Sequence, residues 1–179
     1  MVDGMIGYEI SIKNTIELSD KDLYELIRLK QQYWTYDEVM QKEWFDNNIE
    51  PCDYHILVRS NDSLLAYLNI VNINVDLNDK QIGMLGIGNV CVDQEHAKTG
   101  IGSVIIGIAN SFIKSREMCG VLLCRNNVTG FYKKNQWNLV VSEKVIVNNK
   151  EFDHSIMAFD PLKLYFTETM NEIYIDRSF

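Results

Sequence analysis

Proline is scarce: Pro51 and Pro161 are the only two. No proline-rich linker divides the chain, which reads as one domain over residues 1–179, with 161–179 a tail of unassigned structure. The cysteines at 52, 91, 119 and 124 form no Cys-x-x-Cys pair, and His55, His96 and His154 are scattered. No zinc-site spacing is met, so no metal is expected. No apolar run reaches the length of a membrane span. The segment from Met1 to Gly7 carries Asp3 and lacks the apolar stretch of a signal peptide. A reduced, cytoplasmic protein without membrane contacts is expected, in which the sequons at Asn61 and Asn127 go unused. Long basic runs are also absent. With 25 acidic against 17 basic residues, the formal net charge is −8. Nucleic acid is therefore a poor partner, and cationic ligands such as polyamines, aminoglycosides or basic peptides are favoured.

What is present is globular, with 46% apolar and 23% charged residues, enough for a buried core. Tyr8 to Lys13 alternates at the strand period. Ser19 with Asp22 makes a capping-box-like helix start, after which Leu23, Leu26 and Ile27 share a face and Lys30 and Gln31 turn away. A second helix spans about 37–47. Asp53 to Arg59 and Leu64 to Val75 flank the turn composition Ser60-Asn61-Asp62-Ser63 and form a hairpin. Ile82 to Val92, free of charge, reads as a buried central strand, in which Gly83, Gly86 and Gly88 leave room for a bulge or a close approach. A helix opens near Gly100 and buries Ile101, Val104, Ile105, Ile108 and Phe112. Val121 to Cys124 is a short strand and Thr129 to Asn135 a short helix. Trp137 to Val147 and Glu151 to Phe159 form a closing hairpin. The order β-α-α-β-β-β-α-β-α-β-β implies an α/β fold with a mixed sheet covered by helices.

The most informative stretch is Val90 to Ser103, VCVDQEHAKTGIGS: a buried strand, a polar loop, then Gly-x-Gly opening a helix. The first N–H groups of a helix lack internal partners and sit at its positive end, and glycines let a pyrophosphate come close. Lys98, Thr99 and Ser103 add donors. A glycine pair at a helix start also occurs for steric reasons alone. No P-loop pattern is present, and the third glycine of the dinucleotide fingerprint is missing. Coenzyme A suits the position better.

The segment VCVDQEHAKTGIGSVI resembles motif A of the GNAT superfamily of N-acetyltransferases, and NNVTGFYKKNQW resembles its motif B. The resemblance covers roughly residues 53–160 and implies the acyl-CoA N-acyltransferase fold, with acetyl-CoA as cosubstrate and no metal. It further implies that Val90, Cys91 and Val92 pair through their backbone with the pantetheine arm. Residues Ala97, Lys98, Thr99, Gly100, Ile101, Gly102 and Ser103 would bind the pyrophosphate, and Asn127 joins the cosubstrate set. Tyr132 would be the general acid that protonates the leaving thiolate, although a core aromatic beside Phe131 explains it too. The backbone N–H near Cys91 would polarise the thioester carbonyl. Two departures stand out. Ala97 replaces the family's Arg or Gln, leaving phosphate binding to backbone N–H groups, and Gln136 replaces a glycine, with Asn135 as the expected left-handed cap.

Cys91 and Cys124 lie in apolar strands without a histidine beside them, so structural thiols are expected rather than an acyl-cysteine. Asp37, Glu38, Glu43, Asp46 and Asp93 are candidate proton acceptors for the incoming amine. Trp34, Tyr36, Trp44 and Phe45 either line the acceptor site or pack the helices. A short run, GVLLCRNNVTGFYKKNQW, looks most like the aminoglycoside 2'-N-acetyltransferases. The expected partners are acetyl-CoA and a small-molecule amine, with a monomer or homodimer as the assembly. A peptide acceptor or a non-catalytic acyl-CoA-binding module are the alternatives.

Overall fold

The computed structural model describes residues 7–78, 80–167 and 169–179. The reading of the N-terminus as lacking a signal peptide falls largely on residues 1–6, outside the described residues. The chain forms two compact units: one runs up to Asn69 and resumes over Asn89–Ile105, the other comprises Ile70–Gly88 and Ile106–Phe179. Among the described residues no helix is long and apolar enough to cross a membrane.

In the first unit, β1 (Glu9–Asn14) lies antiparallel to β2 (Tyr54–Ser60), in register from Glu9↔Arg59 to Asn14↔Tyr54. Asn61 and Asp62, both at positive φ (47° and 63°), make the tight turn into β3 (Ser63–Leu77). Two successive positive φ values match the right-handed twist of a hairpin, and Asn and Asp tolerate them. Helix α1 (Asp20–Gln31) starts in a full capping box: Ser19 Oγ accepts from the Asp22 N–H, and Asp22 Oδ2 accepts from the Ser19 N–H. Asp37 caps α2 (Glu38–Asn48) by accepting the Met40 N–H at 2.8 Å. Leu26, Ile27, Leu29, Phe45, Ile56 and Val58 form this unit's core. Lys30 does not turn away as expected. It is 3% exposed, because it follows Ile27 by three and Leu26 by four residues and so shares their face.

Apart from the ends of β3 and β4 that belong to the first unit, the second unit holds the mixed sheet, in the order β6 (Asn138–Leu139), β9 (Ser155–Phe159), β5 (Gly120–Cys124), β4 (Lys80–Val92), β3, β10 (Met170–Ile175), β7 (Ser142–Val147), β8 (Lys150–Glu151). Strand β4 (Lys80–Val92) pairs parallel with β5 (Gly120–Cys124) from Leu85↔Gly120 to Ile87↔Leu122. A Cβ at Gly86 would lie 2.9 Å from the Phe179 ring, so the close approach expected of this strand's glycines occurs there. Helix α3 (Ile101–Ser115) buries Ile101, Ile105, Ile106, Ala109 and Ile113. Its inward face is rotated from the expected one, and Val104 is exposed. Trp137, 1% exposed, donates from Nε1 to Asn110 Oδ1 at 2.8 Å and covers Gly120, where a Cβ would lie 2.8 Å from its ring.

Helix α4 (Thr129–Lys134) ends in a left-handed residue, but this is Gln136 at φ 72°, not Asn135 at φ −101°. The Trp137 N–H can then reach the Tyr132 carbonyl at 3.1 Å. The expected closing hairpin is also smaller. Asn148 and Asn149 turn β7 (Ser142–Val147) into a two-residue β8 (Lys150–Glu151). The chain then leaves, and β9 (Ser155–Phe159) pairs antiparallel with β5 and with β6 (Asn138–Leu139). The tail contributes β10 (Met170–Ile175), antiparallel to β3 and parallel to β7.

Candidate active site

The end of β4 is irregular. Asn89 has φ 50°, in the left-handed region, and donates from Nδ2 to Oδ1 of the fully buried Asn69 at 2.9 Å. Such a break re-aims the residues that follow it. Val90 and Val92 are half-buried and Cys91 is buried. The Cys91 thiol donates weakly to the Tyr67 carbonyl at 3.9 Å, and burial pushes its pKa up to about 12. A thiol so protonated is no nucleophile at neutral pH. Burial likewise pushes Cys124, in the second unit, up to about 11.

After Val92 the loop is tied to the end of α1. Gln32 donates from Nε2 to Asp93 Oδ2 at 3.0 Å, while its Oε1 accepts the Gln94 N–H at 2.9 Å and its carbonyl accepts Gln94 Nε2 at 2.7 Å. The Tyr33 hydroxyl donates to the Val92 carbonyl. Asp93 Oδ1 also accepts the Glu95 N–H and pairs with the His96 ring, each at 3.0 Å. Burial works to raise the Asp93 pKa, but the bonds from Gln32, His96 and Glu95 outweigh it and hold the carboxyl below the usual range. A cleft of about 700 Å³ along α1 opens beside this clasp, between Tyr24, Arg28, Ser63 and Asp93.

The loop then reverses. Ala97 is extended and exposed, Lys98 takes φ 66° and Gly100 φ 98°, and α3 begins at Ile101. Nothing lies within 4 Å of a Cβ built on Gly100, so its glycine serves backbone conformation, not space. Thr99 Oγ1 donates to the His96 carbonyl at 2.7 Å and is engaged inside the loop. Gly100 accepts the N–H groups of Ser103 and Val104 at 2.9 and 3.1 Å. Those of Lys98, Ile101 and Gly102 have no backbone partner among the described residues. They form a row of free donors at a helix's positive end, suited to an anion.

A family model described as an acetyltransferase (GNAT) domain matches residues 14–140. The chain belongs to the GNAT acetyltransferase family. Solved structures with the same fold include an acyl-CoA N-acyltransferase from Pseudomonas aeruginosa, with TM-score 0.63, 18% identity and coverage of 85% of this chain and 99% of that one. The GNAT-family N-acetyltransferase YhbS from Escherichia coli, in complex with CoA, matches at TM-score 0.69 and 10% identity, covering 97% and 92%. An aminoglycoside 6'-N-acetyltransferase complexed with coenzyme A matches at TM-score 0.61 and 15% identity, covering 83% and 96%. No curated protein matches the sequence significantly.

The acetyltransferase fold brings Val90, Cys91, Val92 and residues 97–103 together in the first unit. Asn127 and Tyr132 belong to the second. Asn127 is exposed in a short turn, Asn126–Val128, and Tyr132 is 8% exposed in α4 with its ring edge-on to Phe131 at 5.0 Å. Of the proposed proton acceptors, three carry structural duties: Asp37 caps α2, Asp46 pairs with Lys42 at 2.8 Å, and Asp93 holds the loop. Phe45 is buried against the His55 ring at 5.6 Å, Trp34 and Trp44 are half-buried, and Tyr36 is exposed. Ligand-type atoms of Glu50, Cys52 and Asp53 fall within 4.8 Å of one another, where Asp53 Oδ2 accepts the Glu50 N–H and closes a turn.

Sequence reasoning missed Gln32 and Tyr33, whose partners lie some sixty residues away. It also missed a buried polar column: His55 bonds Tyr67 Oη at 2.8 Å and Thr15 Oγ1 at 3.0 Å, and burial, then the Lys30 charge, depresses the His55 pKa. Only Lys30 carried a signal, its spacing from Leu26 and Ile27.

Proposed function

We propose that this acetyltransferase moves the acetyl group of acetyl-CoA to the amine of a small molecule, acting as one domain over the whole chain. The carrying observation is the reversal at Lys98 and Gly100, which presents free N–H groups at the start of α3 just after an irregular strand end. In this reading the backbone of Val90–Val92 holds the pantetheine arm as an added strand, and residues 97–103, with Ala97 contributing backbone only, hold the pyrophosphate. Asn127 joins the cosubstrate set from its place in motif B.

The neutral amine attacks the thioester carbonyl carbon, and the tetrahedral oxyanion takes a hydrogen bond from the Cys91 N–H. The carbon–sulfur bond then breaks. The thiolate takes a proton from Tyr132, assigned from its motif position, while the attacking nitrogen gives up its surplus proton to solvent, from which the tyrosinate is reprotonated. The titration of Cys91 supports this direct transfer over an acyl-cysteine. The expectation of a polycationic acceptor rests on net charge and on one short run that resembles the aminoglycoside 2'-N-acetyltransferases. The aminoglycoside enzyme matched in structure is a 6' enzyme at 15% identity, which carries the fold and no acceptor.

CoA at about a hundred times its dissociation constant should stabilise the protein by about 2.7 kcal/mol. Thermal melts with CoA, followed by a panel of amines with thiol-release detection, test the reading. No stabilisation and no calorimetric binding would refute the cosubstrate. Binding without turnover on any amine would favour an acyl-CoA-binding module.

A further inference from the structure

Lys30 lies in the last turn of α1 and is 3% exposed. A buried ammonium ordinarily faces a carboxylate. Among the described residues, no carboxylate lies within ion-pair distance of this one. Its close neighbour is the face of the Trp44 ring, 4.1 Å away. Of the three acidic residues of α1, Asp22 pairs with Lys13 and Arg59, Glu25 pairs with Arg59 and Lys21, and Asp20 is exposed at the far end of the helix from Lys30. Among the described residues, the titratable groups electrostatically coupled to Lys30 are His55 and Cys91, and neither supplies an anion. Burial, then the Lys30 charge, lowers the His55 pKa to about 4, and the Cys91 thiol stays protonated. Burial lowers Lys30 itself to about 8, so it is still mostly charged at neutral pH. A cation–π contact only partly replaces a counter-ion.

The Tyr33 hydroxyl, three residues on, bonds the Val92 carbonyl and sets this end of α1 against the strand end at Cys91, where the acetyltransferase reading, on which this rests, puts the thioester. A polycationic acceptor would set a second ammonium against Lys30. We infer that the acceptor is an amine bearing a carboxylate, of the amino-acid class, and that Lys30 binds the carboxylate. In this proposal the half-buried Trp44 ring turns off the ammonium as the carboxylate enters.

The test compares proteinogenic L-amino acids with their carboxamides, pairs that differ only in the charged carboxylate, using thiol release from acetyl-CoA. Calorimetric CoA binding is run in parallel. For the accepted side chain, kcat/KM should favour the acid over the carboxamide by about 10- to 100-fold, as for a hydrogen bond between charged groups. Lys30→Met should bring that ratio close to one, chiefly through KM for the acid. The N-acetylated acid, but not its carboxamide, should change the tryptophan fluorescence of the CoA-bound protein, and Trp44→Phe should remove that signal. Wild-type protein that binds CoA and acetylates carboxamides or polyamines at least as well as acids overturns this inference and leaves the acetyltransferase reading standing. Protein that fails to bind CoA overturns that reading, and this one with it.

Discussion

Asp22→Ala removes the hub of the first unit's polar network. Its side chain is 5% exposed, and Oδ2 accepts from Lys13 Nζ at 2.7 Å, Ser19 Oγ at 2.7 Å and the Ser19 N–H at 2.9 Å. Oδ1 accepts from Arg59 at 2.9 Å. The Ser19 cap on the residue-22 N–H remains, but losing the reciprocal bond from the Ser19 N–H costs about 1 kcal/mol, and each bond to a charged donor about 1.5–3 kcal/mol. Two features moderate the sum: Arg59 keeps Glu25 at 2.5 Å, and Lys13, 32% exposed, can be rehydrated. The expected loss is about 3 kcal/mol, the low end for breaking a buried pair. Urea unfolding at neutral pH measures it, with Glu25→Ala, whose side chain is 20% exposed, expected to cost about 1 kcal/mol or less. The pH dependence adds a signature. Burial works to raise the Asp22 pKa, but the bonds from Lys13 and Ser19 outweigh it and hold the carboxyl far below its usual value. A depressed carboxylate gives its full stability above the unfolded pKa, about 4, and loses it as pH falls from there. Wild type should therefore lose stability below about pH 4 more steeply than Asp22→Ala. A loss under about 1 kcal/mol, or parallel acid limbs, would show that the network does not hold this unit together.

Gln136→Gly should raise stability by about 1 kcal/mol, since relief of a left-handed side chain exceeds the added chain entropy; a melting temperature that stays the same or falls would count against strain at φ 72°. Tyr132→Phe keeps the buried ring and removes only the hydroxyl, so kcat should fall about 10²- to 10⁴-fold while CoA affinity and melting temperature hold. Wild-type kcat in that variant, with chemistry shown to be rate-limiting, would exclude Tyr132 as the acid.

Local chemistry made much of the fold legible in the sequence. The Ser19–Asp22 box, the Asn61-Asp62 turn and the Gly-x-Gly helix start each act within a few residues. Helix α3 was harder, because Val104, Ile105, Ile106 and Ile108 offer more apolar surface than one face needs, and periodicity alone admits two rotations. At Lys30, residue type was weighed above position, and position decided. Strand β10 is six residues long, and its pairing with β7 joins segments far apart in sequence, so nothing local announces it. The glycine loop that opens α3 could be read because it is contiguous. The clasp from Gln32 and Tyr33 could not, since distant pairing leaves no periodic trace.

The position of β10 between β3 and β7 also sets an order of events during synthesis. The β7–β8 hairpin leaves the ribosome first but has no place beside β3 until Met170–Ile175 has been made and inserted. Until then both flanks of the gap are open strand edges, the kind of surface that recruits other nascent chains. A stall or nonsense codon between Phe159 and Met170 would thus yield a species with two sticky edges rather than one slightly shortened enzyme, and quality control would meet it as an aggregation hazard.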